Sequence, residues 1–215
     1  MITIRRTLLD HALDRALPLM RGRVLDIGGK RKQKRGQFRP PLDRAQSWFY
    51  LNSDPLTTPD CRCSAEDIPA VENSIDTIIM TEVIEYLQNP QQALKEVYRV
   101  LSPDGVGLFS APFLVSVHGD HWADRQRFTA LKLQEMFKDA GFGQIEVQPM
   151  GSIGAVIWDI LHVSTGYARG NNISVLSTLS RIILLLFRPL ALTMDSLMKA
   201  QKKFVTTGYF IIARK

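Results

Sequence analysis

Short apolar runs that stop at turn residues alternate here with amphipathic stretches of about ten residues, and this alternation constrains the fold most. VLDI (24–27) ends at Gly28-Gly29, and SWFYL (47–51) ends at Asn-Ser-Asp-Pro. IDTIIM (75–80), VGLFSAP (106–112), QIEVQP (144–149) and GYFIIAR (208–214) come later in the chain. Short continuous apolar runs of this kind read as strands buried on both faces, as in parallel sheets. Between them, PQQALKEVYRVL (90–101) places Ala93, Val97, Val100 and Leu101 on one helical face behind an initial proline. LKLQEMFKDAGF (131–142) is a helix with a glycine stop, and the N-terminal segment predicts a helix over 3–19. Strands alternating with helices predict an α/β fold in which crossover helices cover a mostly parallel sheet. Ligands of such sheets bind beyond the C-terminal strand ends. Functional residues are therefore expected at 28–30, 52–54, 64–66, 80–86 and 112–129.

The 215 residues suit one domain spanning 1–215. Residues 150–204 interrupt the alternation with a helical insertion before the last strand, too long for an ordinary loop. Within it Leu176, Leu179, Ile183, Leu186 and Leu190 share a helical face, while Arg181, Arg188 and Pro189 interrupt the apolar run. A membrane span needs about 20 mostly apolar residues. Two readings remain for 174–200: a helix packed on the domain, or one lying on a membrane surface. Residues 21–44 hold nine Lys/Arg against two acidic residues, a balance of +7 within a net +6 chain. The basicity is thus local. It is either a solvated loop or the contact for one anionic target, such as a small-molecule or lipid-linked anionic acceptor. No aromatics interleave with these lysines, so a nucleic-acid partner is not expected. Cys61 and Cys63 are too few for a zinc site and read as reduced thiols in a strand, so no metal and a cytoplasmic location are expected. A peripheral place on the inner membrane face is the companion expectation if 174–200 touches lipid.

RVLDIGGK (23–30) alone is a weak signal, because dehydrogenases show similar turns. A nicotinamide enzyme would need a third glycine here. The order of the downstream motifs is more specific: YLNSDP, then CSAEDIPAVENSIDTIIMTEVIEYLQNPQQALKEVYRVLSPDGVGLFSAP. Together these resemble the motifs of class I S-adenosylmethionine-dependent methyltransferases of the type 11-like kind, over about residues 20–148 plus the last strand. The resemblance implies a Rossmann-like three-layer sandwich whose mostly parallel, seven-stranded sheet ends in an antiparallel strand. It also implies S-adenosyl-L-methionine as cofactor.

By that resemblance Gly28 and Gly29 let the backbone approach the cofactor's methionine end, and Asp26 orders the turn. Asp54, after the second strand, is the candidate for the ribose hydroxyls, with Asn52 close by. Ser64, Ala65 and Glu66 would frame the adenine, although many relatives carry Asp where Ser64 stands. Thr81 and Glu82 would face the pocket after the fourth strand. The usual helix after the glycine turn is missing, since Gly36 and Pro40-Pro41 oppose it. Lys30 and Arg31 open the basic loop and are candidate substrate contacts. PFLVSVHGDHWADRQRFT (112–129) resembles the signature of a bacterial subgroup tied to surface-glycan pathways, with His118, Asp124, Arg127, Phe128 and Thr129 matching. Hydroxyl methylation profits from a base, and histidine suits neutral pH. His118 is the first candidate and His121 the second, each with a structural role as the alternative. Arg127 either pairs with Asp124 or grips a phosphate. Trp122 and Tyr86 are candidate acceptor contacts or pocket walls. Thr129 reads as a helix cap, and His11 and His162 as structural.

The expectation is thus an S-adenosylmethionine-dependent methyltransferase acting on an oxygen of a small or lipid-linked, glycan-type acceptor. The alternative is a non-catalytic cofactor- or partner-binding module that keeps the fold.

Overall fold

The computed structural model describes residues 2–31, 36–117, 123–170, 184–193 and 205–215. Helix α1 (Ile4–Ala16) starts at Thr3, whose hydroxyl accepts from the Arg6 amide at 3.2 Å. It presents Leu9, Ala12, Leu13 and Ala16 to one face of the sheet, against Val24, Ile79, Leu108 and Phe210. A neighbouring residue of each strand points the other way. Leu25, Ile78, Phe109 and Ile211 meet α2 (Pro90–Val100) and α3 (Ala130–Asp139) on the opposite face. This two-sided burial explains why the strands β1 (Arg23–Ile27), β2 (Ser47–Leu51), β3 (Ile75–Thr81) and β4 (Leu101–Pro112) read as unbroken apolar runs.

With β5 (Gln144–Met150) and β6 (Gly208–Arg214), the sheet runs β2-β1-β3-β4-β6-β5. Only β6 is antiparallel to its neighbours, as expected for the last strand. The described residues make six strands rather than seven. Where a further edge strand was expected, at Cys61–Cys63, a single bridge joins Leu51 to Cys61. The reason is local. The Asn52 amide still donates to the Cys61 carbonyl at 3.1 Å, and the chain then turns away through Asp54 into the short 3-10 turn Pro55–Thr57. β4 also begins earlier than the sequence suggests, directly at the end of α2. Its register slips between the Ile75 and Thr77 rungs, which accommodates the turn around Asp104 at φ 61°.

The insertion is helical where it is described. Helix α4 (Ile153–Gly170) and a helix over 184–193, here α5, pack on the first turns of α1 through Ile4, Ala155, Trp158, Leu184 and Ala191. The remainder of 174–200 lies outside the described residues. Among the described residues no helix is long and apolar enough to cross a membrane.

Candidate active site

The parallel strands β2, β1, β3 and β4 end side by side, which brings residues 28–29, 52, 81–86 and 113 to one edge of the sheet. At the end of β1 the backbone turns through Gly28 at φ +78°, a conformation that favours glycine. A Cβ on Gly28 would stand 2.3 Å from Val83 Cγ2, and one on Gly29 would stand 2.4 Å from the Asp26 carboxyl carbon. The two glycines therefore let Asp26 fold against its own turn. Asn52 fastens this turn to β2: its Nδ2 donates to the Gly29 carbonyl at 3.2 Å, and its Oδ1 accepts from the Asp54 amide at 3.0 Å. Asp54 itself is exposed, and its carboxylate accepts from the Leu56 amide at 2.9 Å. Of the two candidates after β2, the structure brings Asn52, not Asp54, into contact with the glycine turn.

Arg31 goes the other way from the expected acceptor contact. Its guanidinium pairs with Asp60 and lies over the Tyr50 ring, 5.2 Å from the centroid, on the β2 side. Lys30 stays half-buried beside the turn. Ala65 is buried beneath the adjacent wall. Ser64 is exposed and its hydroxyl accepts from the Glu66 amide, while Glu66 accepts from the Asn89 amide at 2.8 Å, just before α2. Ser64 to Glu66 thus form a tight turn bridging the β2 side and the start of α2.

On the other side of the glycine turn, Glu82 follows β3 with φ +57°. A non-glycine residue held there is strained, and such residues concentrate at functional sites. Thr81 pairs with Ser110 in the ladder. The Glu82 amide donates to Ser110 Oγ at 3.0 Å, and the Ser110 hydroxyl donates to Glu82 Oε1 at 2.7 Å. The other carboxylate oxygen is ion-paired with Arg5 of α1. Arg5 is in turn surrounded by Glu85, Asp159 and Tyr86. Burial lowers its proton affinity, and the carboxylates oppose that shift. Asp159 of α4 caps α1 from a distance, accepting from the Ile4 amide at 2.6 Å and the Arg5 amide at 2.9 Å. Burial raises its carboxyl above the ordinary range despite these two donors.

The segment after β4 folds back over this turn. The Arg125 amide donates to the Glu85 carbonyl at 3.0 Å, and Gln126 Nε2 donates to the Leu87 carbonyl at 2.9 Å. Arg127 grips Asp124 with both Nη atoms, one at 2.7 Å, which raises its proton affinity, and Glu85 and Tyr86 add to that. Arg127 thus takes the Asp124 pairing of its two expected roles. Thr129 caps α3 through the Lys132 amide at 3.2 Å. His162 stacks on Trp158, with centroids 4.7 Å apart, and His11 is exposed on α1. His118, His121 and Trp122 lie outside the described residues. Among the described residues no cluster of three or more His, Cys, Asp or Glu could hold an ion.

The arrangement has two halves. Asp26, the two glycines and Asn52 make a compact cradle at the end of β1. Next to it, Arg5, Glu82, Glu85, Asp124 and Arg127 form a charged wall. The donor set fits S-adenosylmethionine, which has an amino acid end and a ribose but no phosphate. Sequence reasoning missed Arg5, Ser110, Glu85 and Asp159, because each lies on a different element and carries no local motif.

Comparison with known proteins agrees. Residues 44–109 match the family described as "Methyltransferase domain". An uncharacterised methyltransferase-like protein of Schizosaccharomyces pombe is 33% identical over 97 residues, which is 40% of this chain and 38% of that protein. The rice 2-methyl-6-phytyl-1,4-hydroquinone methyltransferase 1 is 29% identical over 117 residues, covering 51% of this chain and 33% of that one. The chain thus spans between about a quarter and two fifths of the length of the curated relatives it matches. The solved structure of a possible histamine N-methyltransferase from Thermotoga maritima, an S-adenosylmethionine-dependent methyltransferase, superposes with a TM-score of 0.57. It is 16% identical and covers 99% of this chain and 91% of that one. The fold is the Rossmann-like fold of S-adenosylmethionine-dependent methyltransferases, and residues 44–109 are similar to the methyltransferase domain within it.

Proposed function

We propose that the chain transfers the methyl group of S-adenosylmethionine to an oxygen of a small or lipid-linked acceptor that carries negative charge. The observation that carries this reading is the turn at the end of β1, where Gly28 and Gly29 close on the Asp26 carboxylate and Asn52 ties the turn to β2. Asp26 would meet the cofactor's amino group, Asn52 and Asp54 lie on the ribose side, and Ser64, Ala65 and Glu66 stand where the adenine would be framed. When bound, S-adenosylmethionine supplies a methyl group already activated on a sulfonium, so the protein needs to add mainly alignment and exclusion of water.

The acceptor would lie over the turn after β3, between Thr81, Glu82 and Tyr86 on one side and the 113–129 segment on the other. The Arg5–Glu82 pair, locked by Ser110, fixes that wall. His118, with His121 second, is the proposed base that takes the hydroxyl proton as the new oxygen–carbon bond forms. Arg5 and Arg127 already have carboxylate partners, so the acceptor's negative charge falls to Lys30 and the basic segment beyond it. Trp122 is proposed to pack against the acceptor. Two features support the lipid-linked class. One is the phytyl-bearing substrate in the rice relative's name, and the other is the apolar insertion beside the site. The proposed setting is the cytoplasm, at the membrane face, in glycan assembly.

Methyl-labelled S-adenosylmethionine, incubated with the protein and either a lipid extract or an aqueous extract of cells, tests this reading. Label is expected in the lipid fraction, in an alkali-stable ether, and reduced on the order of 100-fold by His118→Ala. Label in neither fraction refutes the enzymatic reading. Label on nitrogen or carbon refutes the oxygen assignment.

A further inference from the structure

We infer that Arg5 of α1 is a positioning residue for the cofactor turn: by holding Glu82 in a left-handed conformation, it keeps Val83 pressed against Gly28. The inference rests on the proposed reading of the β1 turn as the cofactor's seat. Strands β1 and β3 are neighbours, with Ile27 beside Met80, so the chain leaving β3 runs next to the glycine turn. Glu82 bends it there at φ +57°. The bend delivers Val83, whose Cγ2 fills the space that a side chain on Gly28 would need. The chain continues into the 3-10 turn Ile84–Tyr86, where the Tyr86 amide donates to the Val83 carbonyl at 3.0 Å and Ile84 is anchored in the core. Val83 thus forms one wall of the glycine turn, and its place depends on the strained residue before it.

A glutamate does not stay in the left-handed region unaided. Contacts from two directions hold it. From the sheet, Ser110 accepts the Glu82 amide and donates to one carboxylate oxygen. Ser110 is itself fully buried, in register with Thr81 on one side and Phe210 on the other. From outside the sheet, Arg5 pairs with the other oxygen. The two side chains are only 13% and 17% exposed, so solvent ions screen the pair little. Arg5 is fixed in turn. Its amide donates to Asp159 Oδ2 at 2.9 Å, the Ile4 amide donates to Oδ1 at 2.6 Å, and Thr3 caps the same helical turn. The seating of α4 on α1, and of α1 on the sheet, is thereby passed to the glycine turn through Asp159, Arg5, Glu82 and Val83. This accounts for a guanidinium at a position where burial lowers its proton affinity and an apolar side chain would be cheaper to enclose. The same ion pair that borders the acceptor thus also shapes the seat of the methyl donor.

Calorimetric titration of S-adenosylmethionine into the full chain, paired with amide hydrogen exchange of the chain without cofactor, tests this link. Arg5→Met, which keeps an apolar stem and removes the charge, should weaken cofactor binding about tenfold, and Arg5→Lys should weaken it less. Glycine adopts the conformation of residue 82 without an anchor, so Glu82→Gly should bind the cofactor more tightly than Glu82→Ala. In the Glu82→Gly chain, adding Arg5→Met should change binding by less than about twofold, because the residue through which Arg5 acts no longer needs holding. Exchange at the Gly28 amide, which donates to the Leu51 carbonyl at 2.7 Å, should rise several-fold in Arg5→Met while the amides of β6 keep wild-type rates. A lower melting temperature for Arg5→Met with cofactor binding and Gly28 exchange unchanged makes Arg5 a stabilising residue only and overturns the inference. Losses that add in the double variant overturn it too. Where Arg5→Met does not fold, Glu82→Gly against Glu82→Ala carries the test, and equal affinity of those two overturns it. A flat titration of the wild type refutes the cofactor reading, and Gly28 exchange then decides by itself whether Arg5 holds the turn.

Discussion

Replacing Asp159 with alanine should unfasten α1 from the insertion, and the cost can be worked from the geometry. Asp159 is 3% exposed and accepts from two amides of the first turn of α1, at 2.6 and 2.9 Å. Losing a helix cap costs about 1 kcal/mol, and leaving a buried donor unpaired costs about 1–3 kcal/mol. The Ile4 amide is fully enclosed and the Arg5 amide less so, which gives about 3 kcal/mol in total. For a chain of this length that lowers the melting temperature by about 6–12 °C. Asp159→Asn keeps one acceptor oxygen and should lose about half as much. The two replacements also differ with pH. Burial raises the Asp159 carboxyl, so the wild type binds this proton more tightly when folded, and that contribution is full at acid pH and fades as pH rises. The gap between wild type and Asp159→Asn should therefore narrow on going from about pH 4 towards pH 7. Scanning calorimetry at several pH values reads both effects. A melting temperature for Asp159→Ala within about 1 °C of wild type would refute the reasoning, because it would mean the two amides are satisfied without the carboxylate.

Three other perturbations act on the site and its supports. Gly29→Ala places a Cβ 2.4 Å from the Asp26 carboxyl carbon and should weaken S-adenosylmethionine binding about fivefold to a hundredfold, since overpacking of about 1–3 kcal/mol is relieved only by turning Asp26 away; calorimetric titration measures it. Asn52→Ala should weaken the same binding several-fold, about the worth of one hydrogen bond, whereas Asp54→Ala should change it less; a stronger effect at Asp54 would show that its carboxylate leaves the Leu56 amide to meet the ribose. Arg23 and Ser102 hold the Asp76 carboxyl at about 2, below the usual carboxylate range, so its stabilisation is complete above about pH 4 and is lost as pH falls towards 2. Asp76→Asn should flatten that acid limb in thermal melts.

The layers of the fold were legible because burial on both faces leaves a plain record. VLDI, IDTIIM and VGLFSAP are apolar at nearly every position that meets a helix, and the Ala93, Val97 and Val100 stripe is the matching face of α2. The Gly28-Gly29 turn was legible because only glycine fits both a φ of +78° and the close approach of Asp26. What escaped was whatever depends on distance in sequence. Asp159 looks like a polar position of an amphipathic helix, and nothing near it says that it caps α1, 155 residues away. Arg5 reads as an ordinary surface charge until α1 is laid across the sheet beside Glu82. Asp54 is the acid after β2, but a proline comes next and its carboxylate caps the turn there, which leaves Asn52 beside the glycines. The seventh strand failed for a similar reason. The segment pairs with β2 at a single rung, Leu51 with Cys61, before the two part.

Calorimetric titration of S-adenosylmethionine into the full chain tests the central claim most directly. The account predicts saturable binding of one cofactor per chain, competed by S-adenosylhomocysteine and weakened at least about fivefold by Gly29→Ala. A flat titration of the folded wild type, or binding that Gly29→Ala leaves unchanged, would contradict it.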